Sequence, residues 1–174
     1  VAAVVAEDGE RLYDGMVQLV DPGFWNNLQG DVALWDDNGA QVTGLAEPEQ
    51  VEVLMVTAGF LPLLGVEPML GRRFTPEDDA PGTPSTVILT HAYWQRAFGG
   101  DRGAIGRTLQ VNGEPREIIG VLPEGFRFLE TDPAFLYPAQ FDPDEIFFGN
   151  FSYSAIGRLA TGASVEQVAA EVER

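Results

Sequence analysis

Few side chains in this sequence could do chemistry. His91 is the only histidine, and there is no cysteine. A histidine serves as a triad base only beside a positioned nucleophile and an acid, and no Gly-x-Ser-x-Gly turn is present. Following Thr90 at the start of an apolar helical pattern, His91 reads as a surface or capping residue. Glu77, Asp78 and Asp79, with Asp101 further on, offer oxygens for calcium but lack the spacing of an EF-hand loop. A solvated, helix-capping acidic loop is the expectation there. Twenty-seven acids could supply a carboxylate pair for glycoside hydrolysis, and the same abundance singles out no pair. Gly99-Gly100 and Gly103 to Gly106 follow a helix where a phosphate loop would lead a strand into one. Tyr93, Trp94 and Phe98 could line a pocket for a hydrophobic ligand, although helical spacing favours the core. No catalytic, cofactor-binding or metal-ligating residue is predicted.

Composition narrows the classes further. The 174 residues suit one domain with room for two lobes, and 45% hydrophobic residues can build a real core. Without cysteine there is no disulfide and no thiolate zinc site. The formal net charge is -17, and all ten basic residues are arginine. Such a surface repels nucleic acid and anionic lipid headgroups. The acidity serves solubility and adaptation to salt, or else a face for a cationic partner. No apolar run approaches the ~20 residues needed to span a bilayer. No signal peptide is visible, and the first and last residues read as the cut ends of a longer chain.

The elements that must position these residues are marked most sharply between Val56 and Phe126. Thr57 reads as the cap of a short apolar helix over Ala58–Leu64, closed by Gly65. Thr75-Pro76-Glu77-Asp78 is a second capped start. Thr86–Leu89 reads as a buried strand, and Thr90 caps a helix over His91–Phe98 that Gly99-Gly100 ends. Asn112-Gly113 marks a hairpin with arms Thr108–Val111 and Arg116–Val121, Pro115 suggesting an edge. Upstream, the pattern predicts a meander. Val32–Trp35 and Gln41–Leu45 are strands separated by a turn at Asp36-Asp37-Asn38-Gly39, and a third strand covers Val51–Val56. Met16–Val20 reads as a strand and Asp21-Pro22 as a helix start. Phe135–Tyr137 and Tyr153–Leu159 are further strands, and Ser164-Val165-Glu166-Gln167 matches a capping box that opens a final helix.

These motifs, in this order, resemble a known family. They are VTAGFLPLLGVEPMLGRRFTPEDD at 56–79, VILTHAYWQRAFGGD at 87–101, IGRTLQVNGEP at 105–115 and IIGVLPEGF at 118–126, with Ile156-Gly157-Arg158-Leu159 and Gly162-Ala163-Ser164 near the end. The chain resembles the MacB-like periplasmic core domain of MacB-like and FtsX-like ABC transporter permeases. The resemblance covers about half the residues and is poor over 1–50 and 127–150. It implies an α+β fold with a mixed sheet and short helices, a porter-like β-α-β lobe beside a smaller β-rich lobe. It implies a non-catalytic domain outside the cytoplasmic membrane, inserted between two transmembrane helices of a permease subunit. Its partners would be the transmembrane and nucleotide-binding parts of that transporter, and an extracytoplasmic adaptor or second permease half. No nucleic acid, cofactor or metal is implied. The domain would transmit motion or contact substrate or partner during export. Gly65, Gly71, Gly99, Gly100, Gly106 and Gly113 match the motifs as turns and close approaches, and Arg72 and Arg107 match as partners for local acids or for an adaptor. Two other readings are an extracytoplasmic ligand-binding module around Trp94 and a secreted acid-pair hydrolase.

Overall fold

Two parallel strands and the helix between them fix the centre of the molecule. The computed structural model describes residues 2–5, 11–15, 32–45, 47–141 and 154–157. Its strands are β1 (Ala2–Val5), β2 (Arg11–Gly15), β3 (Val32–Thr43), β4 (Glu49–Val56), β5 (Leu70–Gly71), β6 (Thr86–Leu89), β7 (Thr108–Val111), β8 (Glu114–Val121), β9 (Phe135–Pro138) and β10 (Ser154–Gly157). The described helices are α1 (Phe60–Leu63), α2 (His91–Phe98) and a 3₁₀ turn at Arg102–Ala104. β6 is buried at all four residues, which its β-branched apolar run requires. Thr90 then caps α2 by accepting from Tyr93 N, and Gly99 closes it at φ 61°. β8 returns parallel to β6, completing the β-α-β unit.

The strands make one mixed sheet in the order β2-β1-β10-β3-β4-β9-β6-β8-β5. β7 adds a second connection, pairing with β8 and also with β3 through Val42↔Val111 and Thr43↔Gln110. The pairings therefore close a ring of six strands, β3-β4-β9-β6-β8-β7 and back to β3. All six strands contribute to one core, including Val42, Val53, Phe135, Leu89, Ile118 and Leu109. Only a face turned inward can bring together residues from every strand of a closed ring, so this core fills the ring, with Tyr93 and Trp94 of α2 packed against it. A second core lies on the outer face. There α1 lays Phe60, Leu61 and Leu63 over Leu54, Ile88 and Leu136. Ile118 and Ile119 point to opposite faces and both are buried because each face carries a core, while the extra residue in β8 lets Ile118 and Val121, three apart, share the inner face.

Three expectations are corrected. The Asp36–Gly39 turn does not form. β3 runs through it as a twelve-residue strand, with Asp36↔Met55, Asp37↔Leu54, Asn38↔Val53 and Gly39↔Glu52 in register. A long ladder with a buried neighbour outweighs local turn preference, and the Asn38 amide donates to Asp36 two residues back along the same strand, 3.0 Å away. Thr57 does not cap α1. The cap position is Gly59 without a side-chain bond, and the Thr57 hydroxyl instead accepts from Leu34 N on β3 at 3.0 Å. Thr75 begins a turn and no helix; its reciprocal bonds with Asp78 form, but the chain leaves after one turn. The other early elements hold: β4 changes from half-exposed to buried after Glu52, and Asn112 and Gly113 take φ 52° and 84° at the hairpin. β6 joins β8 only from Glu117, so Pro115 pairs with β7 alone. The expectations at Met16–Val20, Asp21-Pro22 and Ser164–Gln167 lie outside the described residues.

Candidate functional site

The densest polar group lies beyond the C-terminal end of β4. The Asp78 side chain is 7% exposed, not solvated as expected. Its carboxylate accepts both Arg72 Nη1 at 2.6 Å and Nη2 at 2.9 Å, a two-point clamp suited to a planar guanidinium. Thr75 N and Thr75 Oγ1 donate to it at 2.7 and 2.9 Å, and the buried Thr86 Oγ1 at 3.5 Å. Burial pushes this carboxyl up, but Arg72 and Thr75 outweigh burial and hold it down at about 2. The same pairing raises Arg72 further above its ordinary range. Next to it, Asp79 accepts Ala58 N at 2.8 Å and Gln140 N at 3.0 Å. Asp78 and Asp79 thus staple their loop to β6, the chain entering α1 and the chain leaving β9, while Glu77 and Asp101 stay exposed as expected. The oxygens of Asp78 and Asp79 accept from protein donors, and no group of three or more metal-ligating side chains is found among the described residues.

A second cluster sits at the N-terminal end of β4. Glu49 accepts Tyr93 Oη at 2.8 Å and Arg96 Nη1 at 2.7 Å, and Arg96 lies 4.9 Å over the Tyr93 ring. Burial raises the Glu49 carboxyl, while Arg96 and Tyr93 outweigh it and leave it lowered. Burial and the Glu49 bond both push the Tyr93 hydroxyl up, so it stays neutral. Beside this cluster a shallow cleft of about 330 Å³ opens between β4, the start of α2 and residues 132–134. Glu52 and Asp132 line it, with Arg96 already engaged. Sequence reading missed this cluster because its partners lie 44 to 47 residues apart.

The remaining candidates are structural in placement. His91 is half-buried at the start of α2, 5.6 Å from the Trp94 ring and 3.5 Å from Gln95 Nε2, with no acid or nucleophile bonded to it among the described residues. Trp94 is 5% exposed and donates from Nε1 to Asp101 O at 2.8 Å. Tyr93 is 2% exposed and Phe98 packs against the same core. Trp94 is thus packed in a closed core, the outcome that ends the aromatic-pocket reading. Asp101 caps the 3₁₀ turn by accepting Gly103 N at 2.8 Å, far in role from Asp78. Arg107 lies 5.4 Å over the Phe98 ring. Gly71 has the sharpest requirement among the glycines. At φ 75°, a Cβ there would meet Ile119 O at 2.0 Å, and at Gly120 one would meet Arg72 O at 2.7 Å. The two glycines let β5 lie against β8 backbone to backbone. Asp36 is the one described carboxyl raised, by burial, and Asp37 beside it points to the opposite face, so they make no acid pair across a cleft.

The family model for the MacB-like periplasmic core domain matches residues 5–174. The chain belongs to this family. Three solved structures share its fold. The periplasmic region of MacB from Actinobacillus actinomycetemcomitans matches with TM-score 0.66 at 14% identity, over 95% of this chain and 75% of that one. A domain assigned to a permease of Porphyromonas gingivalis matches with TM-score 0.62 at 22% identity, over 91% and 69%. The extracellular domain of the noncanonic ABC-type transporter YknZ from Gram-positive bacteria matches with TM-score 0.60 at 20% identity, over 88% and 81%. No curated protein sequence matches. A MacB-like periplasmic core domain is a non-catalytic part of a membrane ABC transporter permease, which implies membrane-embedded and ATPase partners. The mixed α+β fold agrees with those neighbours. Among the described residues no helix is long and apolar enough to cross a membrane.

Proposed function

We propose that this MacB-like domain, residues 1–174 taken as one unit, works as a rigid relay on the extracytoplasmic face of its permease. It carries motion from the membrane-embedded part to substrate or to an extracytoplasmic partner during export. The observation that supports this is the closed ring: six strands share one packed interior, and α1 seals an outer core on the same strands. A body packed on both faces transmits displacement with little deformation and leaves no lumen for cargo. Contact with cargo or adaptor then falls to the surface, and catalysis to the ATPase partner.

These 174 residues hold no cysteine, so a pair introduced among them has no competing thiol within the domain. Thr43 and Gln110 face each other where β3 meets β7. Thr43→Cys with Gln110→Cys in the full transporter allows a disulfide that locks the ring shut. Oxidation is expected to leave ATP-driven transport unchanged. Transport that stops on oxidation and returns on reduction would show that the ring must open, and the relay reading would fall.

A further inference from the structure

An Asn-Gly step stands on each side of the β3–β7 seam, Asn38-Gly39 within β3 and Asn112-Gly113 at the hairpin turn. This dipeptide has a chemistry of its own, because glycine puts no side chain in the way of its backbone nitrogen. That nitrogen gives up its proton to solvent base and attacks Cγ of the asparagine. The N–Cγ bond forms, the Cγ–Nδ2 bond breaks, and the amide nitrogen leaves with a proton as ammonia. Water then opens the cyclic imide. Splitting the new N–Cγ bond leaves aspartate. Splitting the bond to the main-chain carbonyl carbon leaves isoaspartate, whose main chain runs through Cβ and Cγ and is longer by one atom.

The fold holds the two steps differently. Asn38 pairs with Val53 inside the long β3–β4 ladder, and its amide donates to Asp36. Asn112 and Gly113 are exposed, so water reaches both. What restrains Asn112 is the seam. Its Oδ1 accepts Gln41 N at 2.8 Å, and its N donates to Gln41 O at 2.8 Å. Its φ of 52° belongs to the tight turn that sets Val111 opposite Glu114. To react, the side-chain carbonyl must leave Gln41 and turn its carbon onto Gly113 N. The ladder that keeps it there is short, Val42↔Val111 and Thr43↔Gln110, and a short ladder opens locally more readily than a long one.

We propose that Asn112 is a self-modification site, held unreactive by the β3–β7 seam and open to cyclisation whenever the seam parts. The two products act differently. Aspartate keeps an oxygen for Gln41 N and leaves the seam closed. Isoaspartate lengthens a two-residue turn, carries residue 112 away from Gln41 and leaves the ring open. The inference goes beyond the relay reading and does not depend on it.

The test ages the 174-residue chain in warm, mildly alkaline buffer beside the free peptide Thr108–Arg116, which trypsin also releases from the chain. Mass spectrometry reads the change from amide to acid. Asn112 in the folded chain is expected to react at least tenfold more slowly than in the peptide. In the chain carrying Thr43→Cys and Gln110→Cys, oxidation is expected to slow Asn112 at least threefold against the same chain reduced, and to leave Asn38 unchanged. Amide exchange reads the products. Gln41 is expected to exchange at least tenfold faster in the isolated isoaspartyl chain and to stay protected in Asn112→Asp. A folded chain as reactive as the peptide, or a lock that changes nothing or slows Asn38 equally, would show that the seam does not govern Asn112. An isoaspartyl chain with Gln41 still protected would show that the seam survives the longer turn. Either result overturns the proposal. The relay is read as transport by the full transporter, so neither reading decides the other.

Discussion

Two acid–arginine pairs stand at the two ends of β4, and they differ in everything except their chemistry. Asp78 is 7% exposed and takes four donors besides a distant fifth, while Glu49 is 27% exposed and takes two. A carboxylate moved out of water must have its lone pairs filled, and Asp78 has them filled by a bidentate guanidinium and a turn. Glu49 keeps water as an alternative partner, so its pair can break at small cost. The lesson is that the acid predicted to be a solvated cap became the anchor of a loop, and the one not singled out became a surface tie.

Removing the anchor should have the largest effect. Asp78→Ala strips partners from Arg72, Thr75 and Thr86 at once and is expected to cost about 3 kcal/mol, read as a lower urea midpoint at unchanged slope. A loss under about 1 kcal/mol would make the two pairs equivalent and break the comparison. The pH dependence comes next. The folded Asp78 carboxyl lies below its unfolded value, so its contribution is present at neutral pH and above. It is lost as pH falls from about 4 through about 2. That shift corresponds to about 2 kcal/mol, and Asp78→Ala should flatten that part of the acid-unfolding curve. At the other end, Glu49→Gln keeps an acceptor for Tyr93 but loses the charge facing Arg96. It is expected to cost about 1 kcal/mol or less, with the loss shrinking further in high salt. Smallest of all is Arg73→Ala. The Arg73–Glu67 pair at 2.9 Å is exposed on both sides, and thermal melts should move by no more than the equivalent of about 0.5 kcal/mol.

The readable parts of the fold were those whose signals are local. Thr86–Leu89, Thr90 as a cap, Gly99 as a left-handed stop and Asn112-Gly113 as a turn each depend on residues within a few positions, and each holds. What escaped depends on distant partners. Asp36–Gly39 has turn residues, but its conformation is decided by β4. Thr57 has a capping side chain, but Leu34 claims it. The ring itself was hidden, because Asn112 does more than turn the hairpin. Its Oδ1 accepts Gln41 N and its own N donates to Gln41 O, both at 2.8 Å, docking the hairpin onto a strand 71 residues earlier. The family was legible because its motifs are ordered turns and caps. The polar clusters were not, because burial turns an acid into an anchor and burial is a property of the assembled fold.

The central claim is that the ring moves as one closed body. Its most direct measurement is a pair of spin labels within the ring, on Gln50→Cys of β4 and Glu114→Cys of β8, on either side of the β3–β7 closure, in the full transporter with and without ATP. The account predicts the same narrow distance in both states, while distances from either label to the membrane-embedded part change. A shift of several ångströms between the two ring labels would contradict it, because a ring that opens with nucleotide is a gate and no longer a relay.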